Sequence, residues 1–405
     1  MDLTPVPRVD DLDQHLDDLI QDPTRPLDAE LFDHVQLQLN DGNIPVYLGR
    51  LLPKIAKLLE NYNQDPTILA NLAIKLLGPV PFDQAIGLAR PESLVQALGS
   101  PAPSANVLGM EVLHKASASP GFVAVLSGMP GLLAAFIRSW LTSPHVAVAQ
   151  QGSRVLGDLL DVDCPLPPPP HGPAPTAAVV LRRSPGTGRL WRAVLQDRTI
   201  LALLVDLCAG RDPATSGDPK QLSLAQGRLL GILPRLATLN FDAVAAPRDS
   251  FPTPVHSTNG TGHDSPPVVQ APVDTPATEP SSPHRSLLQW AALHMVDQRD
   301  ILMRLSLVDF FAAFVSLMRV APTSPSDMES IRALLREAMR ADGSLRSELE
   351  SLPDRTVPEE ADDLRSWLRQ LLPGESVLVF LFSTRGLFTE RTMLWECVWR
   401  ERHSE

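Results

Sequence analysis

Chemistry needs its groups at particular spacings, and this sequence offers few. Paired carboxylates stand at Asp10-Asp11 and Asp17-Asp18. Two acids in unlike environments can divide the roles of acid and base, but these lie on a polar N-terminal helical pattern and read as a solvated face. The stretch Ser184-Pro185-Gly186-Thr187-Gly188-Arg189 has the glycines of a phosphate-binding loop. It follows a proline-rich run rather than a strand, however, and the chain has no Gly-Lys dipeptide from which a P-loop could be built. It reads as linker. No His-Glu-x-x-His helix occurs, and no Ser sits between glycines at the nucleophile-elbow spacing. His34, His114, His145 and His294 fall in helical segments without a second His or Cys at i+3 or i+4, so a metal site is not expected. Cys164, Cys208 and Cys397 are odd in number and far apart, which fits neither a zinc site nor a disulfide framework. Cys208, among Leu203, Leu204 and Leu207, reads as a core thiol. The expectation is no catalytic residue, no cofactor and no metal.

The elements behind these residues are helices. Leu48, Leu51, Leu52, Ile55, Leu58 and Leu59 follow the spacing of one buried helix face. Asp65-Pro66, Ser100-Pro101 and Ser143-Pro144 each pair a cap residue with a proline, the signal that opens a new helix. The helices after these signals align. Lys75-Leu76-Leu77-Gly78 matches Glu111-Val112-Leu113-His114, Arg154-Val155-Leu156-Gly157 and Arg228-Leu229-Leu230-Gly231, at offsets of 36, 43 and 74 residues. The last offset is two repeats, or one repeat carrying an insertion. Such a period predicts an all-α HEAT/armadillo-type solenoid of paired helices. Ala73, Gly109 and Gly152 are small enough to let neighbouring helices close up.

Composition agrees. Of 405 residues 44% are hydrophobic and only 5% aromatic, which excludes an all-β fold, and the net charge of −12 disfavours a nucleic-acid partner. Only five Lys are present, at 54, 57, 75, 115 and 220. The acidic start is unlike a signal or transit peptide, and the charge-free stretch between Lys115 and Arg138 is broken by Pro120, Gly128 and Pro130, so no membrane span is expected. A monomer in the cytoplasm or nucleus is the expectation.

Five regions follow: an N-terminal repeat domain over 1–163, a Pro-rich loop over 164–188, further repeat helices over 189–246, a segment over 247–285 too poor in large apolar groups to order itself, and a C-terminal helical region over 286–405. A polar loop is expected over 209–221 and amphipathic helices near 326–341 and 359–372. The run Val377 to Phe382 is left open between strand and helix.

What a solenoid offers is an extended face formed by its second helices. With Gly152 at the centre of the buried side, Gln150, Arg154 and Asp158 fall opposite. The same wheel exposes Asn71 and Lys75, then Ser104, Val107, Glu111 and Lys115, and then Gln221, Arg228 and Arg235. Lys75, Glu111, Arg154 and Arg228 form one row. It is either ordinary solvated charge or the grip on a partner protein with acidic and apolar groups.

Residues Leu51 to Asp163 resemble the N-terminal domain of a fungal family associated with proteasome base assembly and with DNA mismatch repair, related to the proteasome non-ATPase regulatory subunit 5. The likeness rests on Leu72-Ala73-Ile74-Lys75-Leu76-Leu77, Ser100 to Asn106, Phe136-Ile137-Arg138-Ser139-Trp140-Leu141 and Gly152 to Asp163. It implies a HEAT-repeat chaperone that binds the C-terminal domain of one ATPase subunit of the proteasome base. No DNA-binding or ATPase motif supports the repair role. A scaffold or transport adaptor and a mismatch-repair accessory protein remain the alternatives.

Overall fold

The computed structural model describes residues 6–62, 64–166, 185–248, 251 and 285–372. Among them every regular element is helical, apart from one isolated antiparallel bridge between Arg248 and Arg285. The chain opens with α1 (Val9–Gln21), α2 (Ala29–Gln38) and α3 (Ile44–Asn61). Leu12, Leu16 and Leu19 turn one side of α1 inward. Its acids are less idle than the sequence implied. Arg50 reaches Asp10 at 2.7 Å and Asp13 at 3.4 Å, and Lys54 bridges Asp13 and Asp17 at 2.7 Å each, so α1 and α3 are laced together by charge above their apolar contact.

From α4 (Thr67–Leu77) onward a unit recurs. It runs α5 (Phe82–Leu88), α6 (Pro91–Leu98), α7 (Pro103–His114), then α8 (Pro120–Ser127), α9 (Pro130–Thr142), α10 (Val146–Val162). Next come α11 (Arg189–Leu195), α12 (Arg198–Cys208), α13 (Pro219–Leu239), then α14 (Phe241–Ala245), α15 (Leu287–Leu293), α16 (Ile301–Met318). A short helix precedes each pair, so the expected pair is a triplet. The turn Gly128-Met129 before Pro130 bends α8 against α9 by 94°. The third helices α4, α7, α10, α13 and α16 stack in order, and α6, α9 and α12 lie along them. Since α10 and α13 pack directly, the 74-residue offset is one repeat with an insertion. The result is an all-α solenoid.

The capping signals were right in kind and shifted in place. Asp65 accepts from Thr67 N–H at 3.0 Å. Pro103 and not Pro101 opens α7, and α10 starts at Val146, two residues after Pro144. Pro219, expected inside a loop, is the first residue of α13, and Asp218 caps it by accepting from Lys220 and Gln221 N–H. His145 and His294 sit at helix ends rather than within helices. Close approach occurs where small residues were noted. A Cβ on Gly152 would lie 2.4 Å from Trp140 Cδ1, and one on Gly109 would lie 3.2 Å from Leu98.

The segments expected as a Pro-rich loop over 164–188 and as unable to order itself over 247–285 make defined contacts at their ends. After the insertion that follows α10, the chain returns to the residue it left. The carboxylate of fully buried Asp163 accepts from Thr187 N–H at 3.0 Å, Thr187 Oγ1 at 2.7 Å and Leu190 N–H at 2.6 Å, with Trp191 N–H at 3.4 Å. It caps α11 from a distance, and Gly188 supplies the left-handed turn, φ 65°, that starts the helix. The glycine stretch before α11 is thus a clasp. In the second segment the Arg248–Arg285 bridge closes the ends, and Phe251 stacks on Trp290 at 5.6 Å. Residues 167–184, 252–284 and 373–405, with the 377–382 run and Cys397, lie outside the described residues.

The C-terminal region adds α17 (Pro325–Ala341), α18 (Leu345–Glu350) and α19 (Pro358–Leu371), close to the amphipathic stretches expected. α16 is the one helix among the described residues long and apolar enough to cross a membrane, with mean hydropathy 1.9. Here it packs against α13 and α18, buries Phe310, Phe311 and Phe314, and carries Arg304 and Asp309. Cys208 is fully buried, and burial pushes its thiol far up, as a core thiol should be.

Candidate protein-binding face

The third helices run side by side, so residues of like phase in successive units meet. Asn71, Lys75, Gln150 and Arg154 are exposed, as expected, while Val107 is half-buried against the core. The row is a bonded network and not a line of independent charges. Asp158 is its hub. Its Oδ1 accepts from Arg235 Nη2 at 2.7 Å and its Oδ2 pairs with His114 Nε2 at 2.9 Å. Arg154 Nη2 lies 3.2 Å from His114 Nδ1, so the pattern suits a neutral ring carrying its proton on Nε2, donating to Asp158 and accepting from Arg154. Glu111 accepts from Gln151 Nε2 at 2.7 Å. Helices α7, α10 and α13 are thereby joined across the units.

Gly157 makes the Arg235 contact possible. A Cβ there would lie 2.2 Å from Arg235 Nη1, so only glycine lets the guanidinium lie across α10 to reach Asp158. Burial tends to raise the Asp158 carboxyl. The hydrogen bonds from Arg235 and His114, with the charge of Arg235, outweigh it and hold the carboxyl below its ordinary value. A lowered folded pKa stabilises the fold above the unfolded-state value of about 4 and is lost as pH falls through the folded value. The stability gap between wild type and Asp158→Asn should therefore be full near pH 6 and close on acidification toward pH 2. Urea melts across that range check it, and a gap that widens on acidification would contradict it.

Arg228 and Gln221 depart from the expected row. Arg228 turns onto the end of α9, where Nη1 donates to Trp140 C=O at 2.7 Å and Nη2 donates to Ser143 C=O. Gln221 Nε2 donates to Thr142 C=O at 2.7 Å. These carbonyls are orphaned by the end of α9, and a cation beside them also opposes the negative end of the helix dipole. Burial lowers the pKa of Arg228, and the residue is structural. Arg228→Ala should cost about 2 kcal/mol, the worth of charge-assisted hydrogen bonds. A denaturant midpoint unchanged from wild type would contradict this. Lys115 repeats the device two units earlier, donating to Gly78 C=O at 3.1 Å beyond α4. Arg138 clamps the 209–218 turn through a two-pronged pair with Asp212, both bonds 2.8 Å.

His114 and Gln151 are the residues of this network that sequence reasoning missed. Their partners lie 44 and 40 residues away, beyond any i+3 or i+4 search. The tetrad alignment held the signal, because His114 occupies the slot that Gly78, Gly157 and Gly231 fill in the other units. Among the described residues no three His, Cys, Asp or Glu side chains are grouped to hold a metal ion. On comparison with protein families and with curated proteins, the chain matches none.

Proposed function

We propose that the chain is a non-catalytic assembly chaperone of the proteasome regulatory-particle base, binding the C-terminal domain of one ATPase subunit through the face of its third helices. The observation that carries this reading is the fate of the charges on that face. Asp158, Glu111 and Arg235 are engaged within the stack, whereas Lys75 is exposed on α4 and Arg154, although it contacts His114, keeps a side chain 54% exposed. Cations held over a packed base can meet partner carboxylates with little loss of side-chain freedom. The likeness of Leu51 to Asp163 to base-assembly chaperones supplies the partner class. The reading places the protein in the cytoplasm and nucleus, monomeric when free.

The test is affinity capture of the full chain from cell extract with identification by mass spectrometry, using Arg154→Glu as the control. Free base ATPase subunits retained by wild type and lost by the variant are the expected result. Cargo peptides or repair proteins in their place would favour an adaptor or a repair accessory and overturn the chaperone reading.

A further inference from the structure

In the aligned tetrads of the third helices the fourth residue is Gly78, Gly157 or Gly231, except on α7, where it is His114. Imidazole is the side chain that ordinarily changes charge near neutral pH, and both nitrogens of this one are engaged. Nε2 meets Asp158 Oδ2 at 2.9 Å, and Nδ1 meets Arg154 Nη2 at 3.2 Å. A guanidinium can only donate, so the second contact requires a bare Nδ1 and hence a neutral ring. An acceptor for the same nitrogen stands close by. Glu111 Oε2 lies 3.9 Å from Nδ1, while Glu111 Oε1 is held by Gln151. Around the ring, α10 supplies Arg154, Asp158 and, a turn further on, Asp161, and α13 supplies Arg235 through Asp158. Lys115 follows His114 and is tied to Gly78 C=O. The helices α4, α5 and α6 that pack on α7 add the exposed Lys75, Asp83 and Glu92.

We propose that His114 is a proton-operated catch for Arg154. The neutral ring holds the guanidinium against the stack. When Nδ1 takes a proton from solvent it becomes a donor, so two donors of like charge face each other and the contact breaks. Glu111 Oε2 accepts the new N–H, so the ring stays in place and Arg154 leaves. Asp158 cannot hold Arg154 instead. Its Oδ1 accepts from Arg235 and its Oδ2 from the ring, and Arg154 Nε stands 3.9 Å away. Exposure also selects Arg154 as the group that yields. Its side chain is 54% exposed, against 41% for Arg235, so water can replace its lost bond most easily. The catch lies within the chain and does not depend on which partner the face meets.

The test follows ring and guanidinium separately by NMR in the full chain, labelled with nitrogen-15 histidine and arginine, from pH 8 to pH 5. His114→Gln and Arg154→Lys identify the two sets of signals. At pH 8 the bare ring nitrogen should be Nδ1, and rotation of the Arg154 guanidinium about its Cζ–Nη bonds should be slowed by the His114 contact. As His114 takes up its proton that rotation should quicken about tenfold, the factor that losing one such hydrogen bond makes, with the same midpoint as the ring. Glu111→Gln removes the acceptor of the charged ring and should lower the midpoint by about half a pH unit or more, whereas Arg154→Ala should raise it. His114→Phe should leave Arg154 rotating fast at every pH. The wild-type titration decides the matter even where His114→Phe fails to fold. Three results would overturn the proposal: a ring whose bare nitrogen is Nε2, a His114 still neutral at pH 5, or an Arg154 rotation that ignores the ring's midpoint.

Discussion

Gly152→Ala will destabilise the chain by about 3 kcal/mol, at the upper end of what overpacking a core costs. The added Cβ would stand 2.4 Å from Trp140 Cδ1, 2.8 Å from Cγ and 2.9 Å from Cβ. Trp140 cannot move aside. Its side chain is fully buried, and its indole N–H donates to Ser153 Oγ at 3.0 Å on the helix that carries Gly152. The strain must shift α9 against α10, and α9 in turn receives Arg228 and Gln221 from α13. A double-mutant cycle with Trp140→Leu checks the mechanism. The smaller residue opens space, so the pair should be less destabilised than the sum of the single changes by about 1 kcal/mol or more. A neutral Gly152→Ala, or strict additivity, would show that the two helices are not held at contact there.

The second large effect is expected at Asp163. Its buried carboxylate serves the first backbone N–H groups of α11 and the Thr187 hydroxyl, so removal leaves several buried donors without partners. Leaving buried polar groups unsatisfied costs about 1–3 kcal/mol each, and Asp163→Ala should lose at least 3 kcal/mol. Asp163→Asn keeps one acceptor oxygen and should lose less. Because α11 packs on α8 and α12, the loss should also open the clasp. Limited proteolysis should then cut near Thr187 to Leu195 while α1–α7 stay protected. A variant as stable and as resistant as wild type would show that α11 is held by its apolar side alone.

The repeat was legible because the aligned tetrads are local signals. Two buried positions follow a charged one in each third helix, and that pattern survives without tertiary information. The short leading helices were not legible. α5, α8 and α11 span seven or eight residues, too few turns to display a helical period. The polar side of the face was legible as exposure but not as bonding. A wheel shows that Arg154 and Arg228 share a phase, yet it cannot show that α9 ends beneath Arg228 and leaves carbonyls for it to cover. The same limit hid His114, whose partners come from the next unit. At 164–188 and 247–285 composition could not locate the ends, because these are set by single contacts: the buried carboxylate of Asp163 holds the start of α11, and Phe251 stacks on Trp290.

The proposed chaperone role requires that the outward cations on the stacked third helices bind a proteasomal ATPase. The most direct measurement is titration of the full chain with each isolated C-terminal domain of the base ATPases by calorimetry, repeated with Arg154→Glu and with Lys75→Glu. Lys75 is exposed, so its change should not lower the melting temperature, whereas Arg154→Glu also gives up the His114 contact, so binding is read only where its melt shows a folded protein. The account predicts saturable binding of one domain, weakened at least tenfold by Arg154→Glu because reversing a contacting charge replaces attraction with repulsion. Absence of binding to every domain, or binding untouched by both reversals in a folded protein, would contradict it.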